Sequence, residues 1–249
     1  MRPRRRFSIT TMASPSPAPE QRDSSSLQAL LRLSSASLPI GGYSYSQSLE
    51  SAVALHRVCS LKDLGLWISS ALQIWPRGDA LLWALCFSAL QNGDYERLAE
   101  LNRRHWASRD TSELRNETEQ MGWSLINLLA AIDWLEADLQ AALMNLRNPT
   151  FLVAHASGCW SRGITLEDGL VSFCFVFVEG QVQAAQKLLP IGQAASQRLL
   201  SELQPDIDRC VQHTLQAFGA GDALLHTAAP MQSLLSARHE FQYSRLFRS

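Results

Sequence analysis

Apolar residues along this chain recur in steps of three and four from Leu27 onward, and alternation in steps of two is scarce, which predicts helices rather than strands. "LQALLRL" reads as a short apolar helix. Ser60, with Asp63 three residues on, caps a second run whose Leu64, Ile68, Ala71, Leu72 and Trp75 share one face before Pro76 stops it. Asp79 can cap the next helix, with Leu82, Leu85, Cys86 and Ala89 inward and Asn92-Gly93 as its stop. Asp94 to Arg109 carries Leu98, Leu101, His105 and Trp106 on one stripe. Leu114, Thr118, Met121, Leu125, Leu128 and Ile132 then form a seam along a helix of about five turns. Its other face, with Glu113, Arg115, Glu117, Glu119 and Gln120, reads as charged and solvated.

Trp134, Leu135, Leu139, Ala142, Leu143 and Leu146 make the next seam, closed by Pro149, and "TFLVAHASGCW" runs to a stop at Gly163. "FCFVFV" in isolation suggests a strand. The cap Thr165-x-x-Asp168 before it and the helical "QVQAAQKLL" after it make the segment one long helix instead, ended by Pro190. Helices over Gly192 to Leu203 and Pro205 to Phe218 follow, with Gly219 and Gly221 closing the packed part. These elements predict an all-α fold: a single domain of about ten helices over residues 27–236. Residues 1–26 form an N-terminal tail outside it. Residues 237–249 form a C-terminal tail with no obvious place in the bundle.

The chain has 249 residues, 46% of them hydrophobic, which suffices for a sizeable core. The formal net charge of −1 gives no pull toward nucleic acid or anionic membrane. Five cysteines, odd in number, widely spaced and without C-x-x-C, point to a reducing compartment and a cytoplasmic protein. No uncharged apolar run approaches the roughly 18 residues of a membrane span. The Arg-, Ser- and Pro-rich start reads as a disordered tail, with a transit peptide or a true start at Met12 as alternatives.

"LPIGGYSYSQSLE", Leu38 to Glu50, places glycines before a helix but lacks the Lys of a phosphate-binding loop and the third Gly and preceding strand of a dinucleotide fingerprint. No nucleotide is expected there. Ser44 and Gln47 have capping-box spacing, which would fix two tyrosines at a helix entrance. His155/Cys159 and Cys210/His213 have helical metal-edge spacing, and His155 among Phe151, Leu152 and Val153 reads better as a core histidine. No catalytic set can be picked out, so no enzyme activity and no cofactor are expected. Lys187 is one of two lysines against twenty arginines and sits at a helix C-terminus, where a cation suits the dipole. "ARHEFQYSRLFRS" combines arginines with aromatics, the residues enriched at binding hot spots.

"LPIGGYSYSQSLE", "ELRNETEQMG", "QKLLPIGQ" and "SARHEFQYSRLFRS" together, in that order, resemble the signature segments of the urease accessory protein F family, and they span Leu38 to Ser249. Ser48 departs from that pattern, standing where the family usually has Gly. The resemblance implies an all-helical, dimeric, non-catalytic protein of the urease-maturation machinery. It implies a scaffold that bridges the accessory protein called D or H to the GTPase accessory protein G, on apo-urease, for GTP-dependent nickel insertion. On that basis Gly41, Gly42, Tyr43, Ser44 and Glu50 shape one contact patch. Arg115, Glu119, Lys187 and Gln193 supply polar contacts toward the GTPase. Tyr243, Arg245, Leu246, Phe247 and Arg248 dock on the D/H partner. Two alternatives are a GTPase-activating protein with Arg115 as its arginine finger, and a nickel carrier using His155/Cys159 or Cys210/His213.

Overall fold

A computed structural model describes residues 24–221, 225–226 and 229–249. Among them are twelve α-helices and two 3-10 turns, and no strand. The helices are α1 (Ser24–Leu33), α2 (Leu49–Ala54), α3 (Leu61–Ile74), α4 (Asp79–Gln91), α5 (Tyr95–Ala107), α6 (Ser112–Ala131), α7 (Ala137–Met144), α8 (Phe151–Ser161), α9 (Leu166–Leu188), α10 (Gln193–Glu202), α11 (Gln204–Gly219) and α12 (Pro230–His239). The expected N-terminal tail lies outside the described residues except for 24–26, which open α1.

Four helix starts follow from side-chain caps: the hydroxyls of Ser60, Thr111 and Thr165 and the carboxylate of Asp94 accept amides three residues on. Asp79 is different. The helix opens after Gly78, and the Asp79 carboxylate is turned onto Arg109 as a bidentate pair at 3.0 and 2.6 Å. The apolar run Phe173 to Val178 is helical, inside α9.

α4 and α8 form the centre. The expectation of one buried side on α4 is too narrow: Ala80 to Ala84, Cys86, Phe87, Ala89 and Leu90 are all buried, because α5, α8, α9 and α11 surround the helix. α6 crosses α8 closely. A Cβ on Gly122 would stand 2.5 Å from the Pro149 oxygen and the Thr150 carbonyl carbon, so only glycine admits this approach. The buried side of α6 includes Thr118, Met121, Leu125, Ile126 and Leu129, and also Glu113 and Glu117. The charged face is therefore not wholly solvated, for reasons that lie at the other end of the chain.

Candidate partner-binding site

The stretch 38–50 folds as two tight turns. Gly41 has φ +80, and Gly42–Ser44 is a 3-10 turn closed by the Ser44 and Tyr45 amides on the oxygens of Gly41 and Gly42. Gln47 (φ 50) and Ser48 (φ 71) then take the left-handed region before α2 begins at Leu49. The expected Ser44/Gln47 capping box does not form, because no helix starts there. The Gln47 side chain instead donates to Glu117 at 2.6 Å, and the Ser44 oxygen accepts the Arg248 amide at 2.8 Å. The two tyrosines part: Tyr43 is 69% exposed, whereas Tyr45 is buried, which pushes its hydroxyl above the usual range against a hydrogen bond from Arg248.

α12 packs on α2 and runs through the boundary at 236/237, and residues 240–249 return across α2 and α6. Glu50 is the hub. One carboxylate oxygen takes the Leu246 amide at 2.7 Å, and the other takes the Phe247 amide at 2.9 Å and His239 Nε2 at 3.0 Å. His239 Nδ1 faces Glu113 at 2.8 Å, and Arg245 donates to the second Glu113 oxygen at 2.8 Å. With both carboxylates ionised, the imidazole satisfies them only by donating from both nitrogens. One turn along α6, Glu117 receives Gln47 and the Ser249 hydroxyl. The main-chain oxygen of Ser249 accepts both the amide and the hydroxyl of Ser46. Burial lifts the Glu117 carboxyl to about 7, although Gln47 and Ser249 pull it down.

The C-terminal segment therefore has a place in the bundle. Phe247 and Ser249 are buried, while Phe241 (88% exposed), Tyr243 (106%) and Leu246 (60%) point outward. Lys187 bridges the 38–50 turn and the C-terminal segment: its ammonium donates to the Tyr43 oxygen at 3.2 Å and lies 5.1 Å from the Phe247 ring centre.

The structure thus brings Gly41 to Glu50, Lys187 and Arg245 to Arg248 together. It places Arg115 and Glu119 at Trp106 instead. The Arg115 guanidinium stands 5.3 Å over that ring and its Nε donates to the Arg109 oxygen, while Glu119 accepts the indole N–H and Asn148. Gln193 opens α10 and accepts from Gln186. Glu113, Glu117 and His239, central to the cluster, were not among the expected site residues. The signal available for the first two was their spacing, i and i+4, beside the apolar seam of α6.

The metal candidates resolve differently. His155 is fully buried, its Nδ1 accepts Trp83 Nε1 and its Nε2 meets Ser172, both at 3.2 Å, and desolvation lowers its pKa to about 3. The Cys159 thiol, 3.7 Å from the same ring, is pushed far up by burial. Cys210 faces Cys174 inside the bundle at 3.8 Å, whereas His213 is exposed, so that pair diverges. Among the described residues no three His, Cys, Asp or Glu side chains converge on a metal position. Behind the Gly41 turn lies a cavity of about 160 Å³ walled by Trp75, Phe151, Phe173 and Phe177, with His105 on its polar side.

The UreF family model matches residues 58–204, more than half of the chain. The chain belongs to the UreF family of urease accessory proteins. It is 41% identical over 223 residues to urease accessory protein UreF of Ralstonia pickettii, covering 90% of this chain and 97% of that one. It is 43% identical over 220 residues to UreF of Bordetella parapertussis, covering 88% of this chain and all of the relative. A bifunctional urease accessory protein UreEF of Bordetella bronchiseptica is 42% identical over 242 residues, which cover 97% of this chain and 56% of that longer protein. A role in urease maturation fits this family, as does the all-helical fold. Among the described residues of this UreF-family chain, no helix is long and apolar enough to cross a membrane.

Proposed function

We propose that this chain is a non-catalytic, cytoplasmic scaffold for urease maturation. It joins a D/H-type accessory protein to a G-type GTPase on apo-urease, so that GTP hydrolysis by the partner drives nickel insertion, and it works as a homodimer within that complex. Nickel is the cargo. The observation that carries this proposal is the split character of residues 237–249. Their backbone is fastened to Glu50 and Ser46, while Phe241, Tyr243 and Leu246 are left without cover. A backbone fastened in this way, presenting exposed aromatic and aliphatic side chains, is suited to a protein partner, because when the segment is seated much of the ordering cost is already met within the chain. The fusion named UreEF is a second support, since one relative carries its F part joined to another accessory protein. The GTPase side is assigned to Arg115, Glu119, Lys187 and Gln193, and Gly41, Gly42, Tyr43 and Ser44, with Glu50 beneath them, shape a further contact patch.

The test is co-purification with the two accessory partners. A Tyr243→Ala/Leu246→Ala double variant should lose the D/H partner and keep its own fold. Full-strength capture by that variant would sink the assignment. Deleting residues 238–249 is a poorer test, because it strips Glu50, Glu113 and Glu117 of buried donors and disturbs the body itself.

The GTPase-activating alternative has a specific obstacle. Arg115 already spends its Nε on the Arg109 oxygen and its face on Trp106. An arginine finger there would require a large gain in partner hydrolysis that Arg115→Ala abolishes.

A further inference from the structure

The cluster under the C-terminal segment is unbalanced in charge. Three carboxylates, Glu50 on α2 and Glu113 and Glu117 on α6, are each less than one-tenth exposed. Their charged or titratable neighbours include His239 on α12, Arg245 and Arg248 in the segment, Tyr45 in the turn and Lys187 on α9; Asp79 and His105 and, on α9, Glu179 line the cavity that Glu117 also lines, and Arg109, beyond α5, acts on Glu117 at a distance. Arg245 and His239 serve Glu50 and Glu113. Among the described residues Glu117 receives hydrogen bonds from the neutral donors Gln47 and Ser249, and it has Glu113 one turn away.

We propose that residues 245–249 are a proton-coupled latch: they stay seated while Glu117 carries a proton, and its ionisation favours their release. When the segment is seated, the Ser249 hydroxyl bonds this carboxyl, and Glu117, Phe247 and Ser249 are all buried. When it lifts, Glu117 gains water and ionises as an ordinary carboxylic acid. The two positions of the segment therefore bind protons unequally, and linkage makes the seated population fall as pH rises between the two carboxyl pKa values. The value of about 7 in the seated form marks the upper end of that window.

The hydrogen bonds suit both protonation states. A protonated Glu117 donates to the Ser249 hydroxyl while its other oxygen keeps Gln47, and an ionised one accepts from both. The cost of ionisation is thus desolvation and proximity to Glu113, and lifting the segment relieves both.

The test is amide hydrogen exchange on the full chain from pH 5 to pH 8.5, corrected for intrinsic base catalysis, read at residues 245–249 with α4 and α8 as internal controls. In the wild type, protection of the segment should fall by up to about tenfold per pH unit and level off above about 7. Glu117→Gln, which keeps an acceptor and cannot ionise, should flatten the profile. Gln47→Met removes a donor to the carboxylate and should move the levelling point upward. A flat wild-type profile overturns the latch, as does a Glu117→Gln profile that falls like the wild type. A Gln47→Met levelling point that stays in place overturns it too.

Discussion

The carboxylate of Glu50, on the second residue of α2, holds the consecutive main-chain amides of Leu246 and Phe247, nearly two hundred residues away. Main-chain donors on a buried carboxylate are charge-assisted bonds, and each is worth about 1.5–3 kcal/mol. Glu50→Ala removes both, and leaves His239 facing only Glu113. The expected loss is about 3 kcal/mol or more, read as a lower thermal midpoint together with proteolytic cleavage at 240–249. Glu50→Gln keeps one acceptor oxygen and should lose about half as much. Equal loss in both variants would mean that the charge matters and the acceptor geometry does not.

Acid stability depends on opposing proton counts. His105 and His155 are buried and neutral, with pKa lowered from 6.5 to about 3, for each chiefly by desolvation. Unfolding lets both take up protons below pH 6.5, so their contribution is full above that pH and is lost as pH falls toward 3. Glu117 works in the other direction. Its folded value, near 7, lies above its ordinary 4.5, so its contribution is full below 4.5 and is lost as pH rises through 7. Between pH 5 and 6 these three groups together leave the unfolded chain binding about one net proton more, and their joint contribution to stability should rise by roughly 1.4 kcal/mol per pH unit. Glu117→Gln removes the opposing proton and should about double that slope in denaturant titrations. An unchanged slope would show that Glu117 titrates normally in the fold.

Ser48 bears on the departure from the family pattern. Its φ of 71 is one that glycine adopts without strain, and its hydroxyl donates to the Gln232 oxygen at 3.1 Å. Ser48→Gly relieves about 1 kcal/mol of backbone strain and gives up a hydrogen bond of similar size, so it should be near neutral. Ser48→Ala keeps the strain and loses the bond. The thermal midpoint of the Ala variant should therefore lie below those of both Ser and Gly; an Ala variant as stable as Gly would remove the strain argument, and one as stable as Ser would remove the hydrogen-bond argument.

Helix positions were legible in the sequence because their determinants are local. Ser60 and Thr165 cap by contacts three residues long, and Pro76 and Gly93 stop helices where they stand. The candidate site was legible only at its ends, as the Gly41 turn and the Arg- and aromatic-rich segment. Glu113 and Glu117 looked solvated because what justifies burying them, Arg245, His239 and Ser249, lies more than a hundred residues away. A buried charge is defined by its partner, and helical periodicity carries no information about a partner on another element.

Gly122 offers a contrast between propensity and packing. Replacing a mid-helix glycine by alanine gains up to about 1 kcal/mol in backbone terms. At Gly122 the new methyl would meet main-chain atoms of Pro149, Thr150 and Phe151 at 2.5 to 2.8 Å. That backbone is pinned: Asn102 donates to the Asn148 oxygen and accepts the Thr150 amide, and the Phe151 amide bonds to Thr118. It cannot yield without breaking those bonds, so α6 must move off α8, and overpacking of this kind costs about 1–3 kcal/mol or more. Gly122→Ala should therefore be net destabilising. Gly180→Ala in α9, where an added Cβ meets nothing within 4 Å, should stabilise by a few tenths to about 1 kcal/mol. Paired thermal unfolding of the two variants decides it: a Gly122→Ala protein as stable as the wild type would mean that the α6–α8 approach is looser than the structure has it.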